Sequence, residues 1–367
     1  MMRVRAMTIG LILDPYGERQ PGGLGRSIFE IARALIRAAP HTALTIYLKK
    51  DPAQPPAFPP GAWTIRPLRV RSVLFSGARR IDKGLDWYLF LTSVIPLWWR
   101  PKKSIVMAFD FAYLEEATTL QSRLRAWLLY YVHRRSFRLA TTVVAISHAT
   151  AHEVTERFGI PPEKVVAIPI GFIPLTAATE SYEVAHPYFF FAGVIKNRKN
   201  IEGIIRAFGH FCAGTAEPHH LVLAGKTGGQ YYERLRALVH ELGLQEKVLF
   251  IGYVSDAELS FLYRNATAFV FPSHIEGFGM PILEAMDVGT PVITSNKGAL
   301  AEVAGDAALL TDPTDHEALA RAMARLVNDP TTRREMVQKG TQRAAQFTWE
   351  RFARRLLACM EQDPKLP

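Results

Sequence analysis

Short apolar runs alternate with helical patterns along this chain, and this alternation limits its fold more than any other feature. Apolar runs separated by helices are typical of βαβ units, in which buried parallel strands are joined by covering helices. In the first half, the predicted strands are Thr8–Leu13, Leu44–Leu48, Ile105–Ala108 and Thr142–Ala145. In the second half, they are Tyr188–Ala192, Leu221–Ala224, Val248–Ile251, Ala268–Phe271 and Pro291–Thr294. The sequence therefore predicts an α/β fold with two Rossmann-like, doubly wound sheets.

A stretch of weak periodicity between Pro174 and Pro187 separates the two sets of strands. The length of 367 residues also favours two domains over one core. We predict a first domain over residues 1–180, a second over residues 181–345, and a C-terminal helix over residues 346–367 that could cross back to the first. The two domains are expected to face each other across a central cleft, because ligands bind at the carboxyl ends of the strands in such folds.

Charge is divided unevenly between the two halves. Residues 1–180 contain 24 Lys and Arg and 13 Asp and Glu, a net charge of +11, whereas the remainder contains 20 and 21, a net charge of −1. A basic half suits nucleic acid, anionic lipid headgroups or a phosphorylated substrate. No base-reading motif is visible, so we expect no nucleic-acid partner. With only Cys212 and Cys359 and no CxxC motif, the chain suits a reducing cytoplasm.

Several apolar segments bear on contact with a membrane. Met7–Leu13 lacks a cleavage site, so we predict a first strand there and not a signal peptide. The run Leu89–Trp99 is too short and too interrupted to span a bilayer. Trp98–Lys103 combines aromatic and basic groups, which fits an interfacial segment and ordinary packing equally well. For Trp127–Tyr131, which precedes His133–Arg135, we favour a buried helix with a basic end.

The most informative stretch is Phe271–Glu284, with the sequence FPSHIEGFGMPILE. Gly277 and Gly279 allow the backbone to approach a ligand closely. A helix is predicted over Pro281–Val288, because proline suits the first helical position. Its free N–H groups and positive dipole end suit an anion such as a diphosphate.

Two carboxylates belong to the same stretch. Glu276 precedes the glycine turn, and Glu284 is expected in the first turn of the helix. A carboxylate accepts two hydrogen bonds from vicinal hydroxyls, so one could hold a sugar and the other a ribose. Taken singly, a helix-capping role for Glu276 and a dipole-stabilising role for Glu284 explain them equally well. Their combination with the glycines favours ligand binding.

Cations for a diphosphate follow other predicted strands. Arg198 and Lys199 lie after a glycine-containing strand end and before a predicted helix, where Arg could clamp two oxygens and Lys could act as a point charge. A solvated pair is the ordinary alternative. Lys226 ends the next strand and is a further candidate.

The first strand is followed by a glycine loop that contains Gly22, Gly23 and Gly25. A plain turn and a phosphate or substrate contact explain this loop equally well, because it lacks the full GxGxxG spacing. No Asp-x-Asp motif is present, and the nearest pattern, Asp312 to Asp315, is predicted to be a surface turn. We therefore expect neither a metal nor a cofactor. His148 and His274 are expected to have ordinary surface or packing roles.

From Tyr188 to Phe352, the chain resembles the retaining, GT-B-fold glycosyltransferases of the large bacterial family four, which make lipopolysaccharide, O-antigen and exopolysaccharide. The matching pieces are Gly193, Arg198–Asn200, Leu223–Lys226, Ile251–Tyr253, Phe271–Ser273, Glu276–Pro281, Glu284–Ala285, Gly289–Val292 and Phe347–Glu350. In the first half, the resemblance rests on Pro21–Gly25, Phe109–Asp110 and Val144–Ser147.

The resemblance implies a catalytic set and a substrate-binding set. We expect the catalytic residues to be Asp110, Arg198, Lys199 and Glu276. We expect substrate contacts from Gly22, Gly23, Gly25, Lys226, Gly277, Phe278, Gly279, Met280 and Glu284. Within these sets, Glu276 resembles the acid on the donor sugar, Glu284 the acid on the ribose, and Lys199 with Arg198 the cationic pair on the diphosphate.

Two positions depart from the family pattern. Val194 stands where many relatives have an arginine after the strand glycine, and Arg198 could supply that charge instead. Phe109 stands where many relatives have a histidine, so a side-chain function of that histidine cannot operate, although Asp110 remains.

The implied activity is retaining transfer of a hexose, mannose from GDP-mannose being favoured and a UDP-sugar being the alternative. The implied partners are a nucleotide-sugar donor, a glycan or lipid-linked acceptor and an anionic membrane surface, with the protein in the cytoplasm and peripheral on the membrane. Two other interpretations stay open: a non-catalytic homologue that binds a nucleotide sugar and, with weaker support, an NAD-dependent oxidoreductase.

Overall fold

The computed structural model describes residues 7–13, 23–51, 57–175, 182–184, 187–215 and 218–361. The chain divides into two compact units, one of Met1–Gly171 with Phe347–Pro367 and one of Phe172–Gln346. Each unit contains one sheet, and all the paired strands in both sheets are parallel.

The first unit contains a seven-stranded sheet in the order β3-β2-β1-β4-β5-β6-β7. Its strands are β1 Thr8–Leu13, β2 Ala43–Leu48, β3 Trp63–Pro67, β4 Trp87–Phe90, β5 Ser104–Ala108, β6 Thr142–Ala145 and β7 Val165–Ala167. The α-helices between them are α1 Gly23–Ala38, α2 Val73–Ser76, α3 Leu120–Leu139 and α4 His148–Phe158.

The second unit contains a six-stranded sheet in the order β10-β9-β8-β11-β12-β13. Its strands are β8 Tyr188–Ala192, β9 His220–Ala224, β10 Val248–Gly252, β11 Ala268–Phe271, β12 Val292–Ser295 and β13 Leu309–Thr311. Its α-helices are α5 Ile201–Gly214, α6 Gln230–Glu241, α7 Asp256–Asn265, α8 Met280–Asp287, α9 Gly298–Ala304, α10 His316–Asn328 and α11 Pro330–Ala344.

The last helix, α12 Trp349–Glu361, belongs to the first unit and packs against α1. Trp349, Phe352 and Leu356 are buried along its inner side. The Arg355 guanidinium donates a hydrogen bond to the carbonyl oxygen of Ala167, at the end of β7, over 3.0 Å. The C-terminal segment is therefore tied to the first sheet by both apolar packing and a side-chain hydrogen bond.

The predicted α/β fold is confirmed, and each predicted strand is present within one residue of its expected bounds. Four strands were not predicted: β3, β4, β7 and β13. The edge strand β3 alternates between half-buried and exposed residues, so it lacks a continuous apolar run. β4 is wholly buried but short, and it merges into the longer apolar run that follows it. β7 and β13 have only three residues each.

Buried aromatic side chains form the centre of the second sheet. Tyr188, Phe189, Phe190 and Phe191 on β8 are all fully buried, as expected for a central parallel strand with both faces covered. The strand order reverses beside β8, since β9 lies on one side of it and β11 on the other. In open parallel sheets, the carboxyl ends of strands at such a reversal form the usual ligand site.

Candidate functional site

Two loops leave the second sheet at its strand-order reversal. One follows β8 and includes the predicted cations Arg198 and Lys199; the other follows β11 and includes Glu276. Because β8 and β11 are paired neighbours, the two loops start side by side at the carboxyl edge of the sheet. The topology therefore brings together charged residues that are far apart in sequence.

The Glu276 carboxylate lies between the two predicted cations. Lys199 Nζ lies 2.5 Å from Glu276 Oε1, and Arg198 Nη1 lies 3.4 Å from Glu276 Oε2 and 3.3 Å from the carbonyl oxygen of Ile275. The side chains of Lys199 and Glu276 are 11 % and 10 % exposed, and that of Arg198 is 22 % exposed. The three groups carry a net charge of +1 in a partly desolvated setting, which attracts an anion more strongly than the same charges would in water.

The aromatic core also supports the lysine. Lys199 Nζ lies 4.7 Å from the centre of the Phe271 ring, on the last residue of β11. A cation over a ring face is attracted by the ring quadrupole. Glu276 and Phe271 together hold the ammonium group at the sheet edge.

Asn200 fixes the loop that carries these cations. Arg198 and Lys199 lie in a 3-10 turn, Asn197–Lys199, and Asn200 ends it with a left-handed backbone at φ 57°. Asparagine tolerates this conformation better than most residues. Its buried side chain donates to the carbonyl oxygens of Pro272 and Pro313 over 3.2 and 2.6 Å. No role was predicted for Asn200, although its place directly before a helix was an available signal.

The glycine turn leads into the start of α8. Gly279 precedes the helix with φ 109°, and a Cβ atom there would lie 2.6 Å from Leu300 Cδ2. Both the backbone angle and the close approach therefore favour glycine at this position. The helix begins at Met280, one residue earlier than predicted, with Pro281 in its first turn. The N-cap residue Gly279 has no side chain that could cap the helix, and N–H groups at the start of a helix suit an anionic ligand.

Three other residues of this turn differ in exposure. The Phe278 side chain is 4 % exposed, so contact with a substrate would come from its backbone. Gly277 is buried and Met280 is half-buried.

Glu284 lies in the second turn of α8, not in the first turn as predicted, because the helix starts at Met280 and has no acidic residue in its first turn. A dipole-stabilising role is thereby weakened, since that effect is confined to the first turn. The hydroxyl of the buried Tyr263 donates to Glu284 Oε2 over 3.4 Å. Burial, followed by the nearby Glu284 charge, holds the pKa of Tyr263 well above its usual value, so this hydroxyl stays protonated. No local sequence signal links these residues, which are 21 positions apart.

Lys226 is exposed, two residues after the end of β9. The preceding Gly225 packs closely on the loop after β8, where a Cβ atom would lie 1.9 Å from the carbonyl oxygen of Gly193. The glycine therefore allows the β8 and β9 loops to touch. Lys226 follows this contact directly.

The predicted residues of the first unit are described in part. Asp110 is exposed after β5, and its Oδ1 accepts a hydrogen bond from the Ala112 amide over 3.3 Å. Gly23 is the first residue of α1 and Gly25 is buried within that helix, whereas Gly22 lies outside the described residues. The predicted turn at Asp312 is present, because its Oδ1 accepts from the Thr314 amide over 2.9 Å.

A half-buried histidine, His133, contacts Tyr113 in the first unit, and this contact was not predicted. Tyr113 OH and His133 Nδ1 are 2.9 Å apart. Burial lowers the pKa of His133 to about 4, so the imidazole is neutral at physiological pH. Burial also raises the pKa of Tyr113, with the Asp110 charge adding to the effect.

The expectation for Trp127–Tyr131 was wrong. This part of α3 is not buried: Trp127, Leu128 and Tyr131 are 58 %, 56 % and 47 % exposed. The opposite face of the helix, which includes Val132 and Phe137, packs on the core instead. In Trp98–Lys103, Trp98 is 82 % exposed whereas Trp99 is buried.

Among the described residues, no group of three or more His, Cys, Asp and Glu side chains is arranged to hold a metal ion. Within the same ranges, no helix is long and apolar enough to cross a membrane. The site thus consists of a carboxylate with two cations, a helix N-terminus and a second carboxylate on α8.

Comparison with known proteins identifies relatives of both halves of the chain. Residues 180–343 match the family described as Glycosyl transferases group 1, and residues 21–173 match Glycosyltransferase Family 4. O-antigen chain mannosyltransferase B of Escherichia coli is 33 % identical over 221 residues, covering 58 % of each protein. Serotype-specific mannosyltransferase WbdA of Escherichia coli is 31 % identical over 237 residues, covering 61 % of this chain and 29 % of that protein.

The aligned part of the chain thus spans 58 % and 29 % of the lengths of these two curated relatives. Among solved structures, sucrose-phosphate synthase of Thermosynechococcus elongatus has a TM-score of 0.74 at 23 % identity, covering 97 % of this chain and 98 % of that one. The two family matches lie one in each half of the chain, and the solved neighbour has the same two-sheet fold. This chain therefore belongs to the GT-B-fold glycosyltransferases of family four.

Proposed function

We propose that this protein is a retaining, metal-independent hexosyltransferase that uses a nucleoside diphosphate sugar. The observation that carries the proposal is the contact of Lys199 and Arg198 with Glu276, on the sheet edge from which α8 starts. The cations and the amide groups of the helix N-terminus provide positive charge for a diphosphate. The carboxylate between them can accept hydrogen bonds from sugar hydroxyls.

Donor binding would redistribute the charges at this edge. Lys199 and Arg198 would turn from Glu276 towards the phosphate oxygens, and Glu276 would then accept from the transferred sugar. Glu284, oriented by the Tyr263 hydroxyl, would accept from the two ribose hydroxyls. The amide groups of Gly277, Phe278 and Gly279 would contact the sugar.

The transfer step breaks the bond between the sugar C1 and the phosphate oxygen and forms a bond between C1 and the acceptor oxygen on the same face. The departing phosphate takes the proton of the acceptor hydroxyl, so no protein base is required. Lys199, Arg198 and the start of α8 would stabilise the negative charge that develops on the phosphate. Asp110 is the proposed catalytic contribution of the first unit.

Mannose from GDP-mannose is the donor we favour, because both relatives described above are named mannosyltransferases. A UDP-sugar is the alternative. The O-antigen role in the name of one relative supports a glycan or lipid-linked acceptor. A lipid-linked acceptor would place the protein at the cytoplasmic surface of a membrane.

The first experiment is calorimetric binding of GDP, UDP, ADP and NAD to the purified protein without added metal. We expect one nucleoside diphosphate to bind, and Glu284→Ala to weaken that binding by about 10-fold to 100-fold. NMR should then show that the sugar, whether it is transferred or slowly hydrolysed, first appears with the same anomeric configuration that it has in the donor. An inverted first product would contradict retention, and binding of NAD alone would support the oxidoreductase.

A non-catalytic homologue is the second candidate, since Phe109 replaces the histidine of many relatives. Nucleotide binding without donor turnover, for every donor and acceptor tried, would favour that alternative. Binding with turnover would exclude it.

A further inference from the structure

The side-chain amide of Asn200 joins three loops of the second sheet. Asn200 ends the loop after β8, and its Nδ2 group donates to the carbonyl oxygen of Pro272, after β11, over 3.2 Å. The same nitrogen donates to the carbonyl oxygen of Pro313, after β13, over 2.6 Å. An amide nitrogen has two hydrogens, and each of them can serve one carbonyl. One buried side chain therefore connects loops that follow three different strands.

A glycine in the next helix makes room for this amide. Gly203 is buried in the first turn of α5, where a Cβ atom would lie 2.4 Å from Asn200 Oδ1 and 2.8 Å from both Cγ and Nδ2. Glycine within a helix is less favourable than alanine, and the close approach of the amide accounts for a glycine here. A methyl group at position 203 would push the amide away from the two carbonyl oxygens.

The turn that contains Pro313 is held by contacts of its own. Asp312 Oδ1 accepts from the Thr314 amide over 2.9 Å and from the Thr314 hydroxyl over 2.6 Å. The other carboxylate oxygen of Asp312 lies 3.0 Å from Lys297 Nζ, on the loop after β12. The turn thus presents to Asn200 a carbonyl oxygen whose position is set outside the carboxylate and its two cations.

Lys199 lies between two attachments of its loop to the loop after β11. On one side, the carbonyl oxygen of Arg198 accepts from the His274 amide over 2.9 Å. On the other side, the Asn200 side chain provides the second attachment. When a diphosphate displaces Glu276, these two attachments keep the backbone of Lys199 in place. Loss of the Asn200 amide would leave the lysine attached on one side only.

We propose that Asn200 and Gly203 are positioning residues for the transfer reaction, which act through Lys199 and connect its position to the turn at Pro313. The inference rests on the proposed function of Lys199. Asn200 is 5 % exposed, so its side chain acts through its neighbours and not by contact with the donor. Gly203 acts one step further away, because it provides the space in which the amide reaches both carbonyl oxygens.

The test compares Gly203→Ala and Asn200→Gly with the wild type, using the full chain. Glycine at position 200 tolerates the left-handed backbone and removes only the amide. We expect each variant to lower kcat for donor turnover by about 10-fold to 100-fold, the effect of a small displacement of a catalytic group. Gly209→Ala, in the same helix, is the matched control. Its Cβ atom would lie 3.6 Å from Leu244 Cδ1, an ordinary contact, so turnover should be unchanged.

Two double variants separate positioning from a general loss of structure. In Asn200→Gly/Gly203→Ala the amide that would be displaced is absent, so turnover should equal that of Asn200→Gly. In Lys199→Ala/Asn200→Gly the group that is positioned is absent, so turnover should equal that of Lys199→Ala. Effects that multiply in either pair would overturn the proposal, because independent defects add in free energy. Normal turnover in Gly203→Ala would overturn it as well.

A measurement without substrate separates this proposal from the transfer activity. The Lys199 side chain is 11 % exposed and should react slowly with acetic anhydride, whereas Lys102 in the first unit is exposed. We expect Asn200→Gly to raise the acetylation of Lys199 relative to Lys102 by about tenfold, because two buried hydrogen bonds are lost. Mass spectrometry gives the ratio, and circular dichroism melting shows whether the fold is kept.

An unchanged acetylation ratio in folded Asn200→Gly would overturn the positioning role of Asn200. A wild type that turns over no donor would instead count against the proposed function, and the acetylation ratio would still decide whether Asn200 holds Lys199 in place.

Discussion

Lys199 Nζ lies 2.5 Å from Glu276 Oε1, although the two residues are 77 positions apart in the chain. They meet because β8 and β11 are neighbours at the strand-order reversal of the second sheet. Arg198 contacts the other carboxylate oxygen, so one anionic group holds two cations at the start of α8. An incoming diphosphate would compete with Glu276 for these cations. Before the donor binds, the contact with Glu276 would hold Lys199 and Arg198 in place. When the diphosphate displaces Glu276, both cations would become available to the phosphate oxygens.

Lys199→Ala should lower kcat by about 100-fold to 1,000-fold, as expected when one preorganised donor to a developing anion is removed. The measurement is donor turnover at saturating substrate, with the melting temperature as a check on the fold. Lys196→Ala, at an exposed position three residues earlier, is the matched control and should turn over normally. Unchanged turnover in Lys199→Ala would rule out the assigned role.

Glu284→Ala should weaken nucleoside diphosphate binding by about 10-fold to 100-fold, the range for a charged hydrogen bond. Tyr263→Phe should have a smaller effect, about threefold, because it removes only the hydroxyl that orients the carboxylate. Calorimetry gives both values. Glu241→Ala, on the exposed end of α6, should bind as the wild type does. If Glu284→Ala bound nucleotide equally well, the ribose contact would have to be assigned elsewhere.

Gly279→Ala should reduce the free energy of unfolding by about 1–3 kcal/mol, because a Cβ atom at φ 109° is strained and meets Leu300. Gly214→Ala is the control: nothing lies within 4 Å of its Cβ position at the end of α5. Denaturant unfolding should show that Gly214→Ala is neutral or slightly stabilising. A stable Gly279→Ala protein would mean that the turn before α8 relaxes readily.

The stability of the first unit should fall as the pH is lowered from about 6.5 to 4, the unfolded and folded pKa values of His133. In this range the histidine is protonated in the unfolded chain but stays neutral in the folded protein. Lowering the pH therefore favours unfolding. The stabilisation is complete above pH 6.5 and amounts to about 3 kcal/mol from this group. Denaturant unfolding at pH 7 and pH 4.5 should show a smaller difference for His133→Gln than for the wild type. An equal difference in both proteins would place the pH dependence on other groups.

The strands were predicted well where burial of both faces produces an unbroken run of apolar residues. β1, β5, β6, β8 and β11 have both faces covered, so each appears as an unbroken apolar run. Short strands and the half-exposed edge strand β3 have no such run, and their pairing with neighbours depends on contacts distant in sequence. The sequence also predicted Glu276, Lys199 and the glycine turn as parts of one site, because strand ends and glycines mark the edge of a parallel sheet.

The orientation of α3 could not be read from its composition. Apolar residues occur on both of its sides: Val132 and Phe137 on one, and Leu124 and Trp127 on the other. Periodicity therefore cannot say which side packs on the sheet, and the buried-helix prediction was wrong for this reason. Only the packing of the first unit selects the face with Phe137.

The sequence by itself determined the α/β class, most of the strands that are buried on both faces, and the residue types of the candidate site. These follow from local patterns, since apolar runs, glycines and proline act on the chain close to where they stand. The tertiary structure decided which charges meet and which side of α3 stays exposed. It also decided that Asn200 fixes the loop with Arg198 and Lys199, and that Tyr263 contacts Glu284. These depend on strand order and on packing between distant segments, which no local pattern contains.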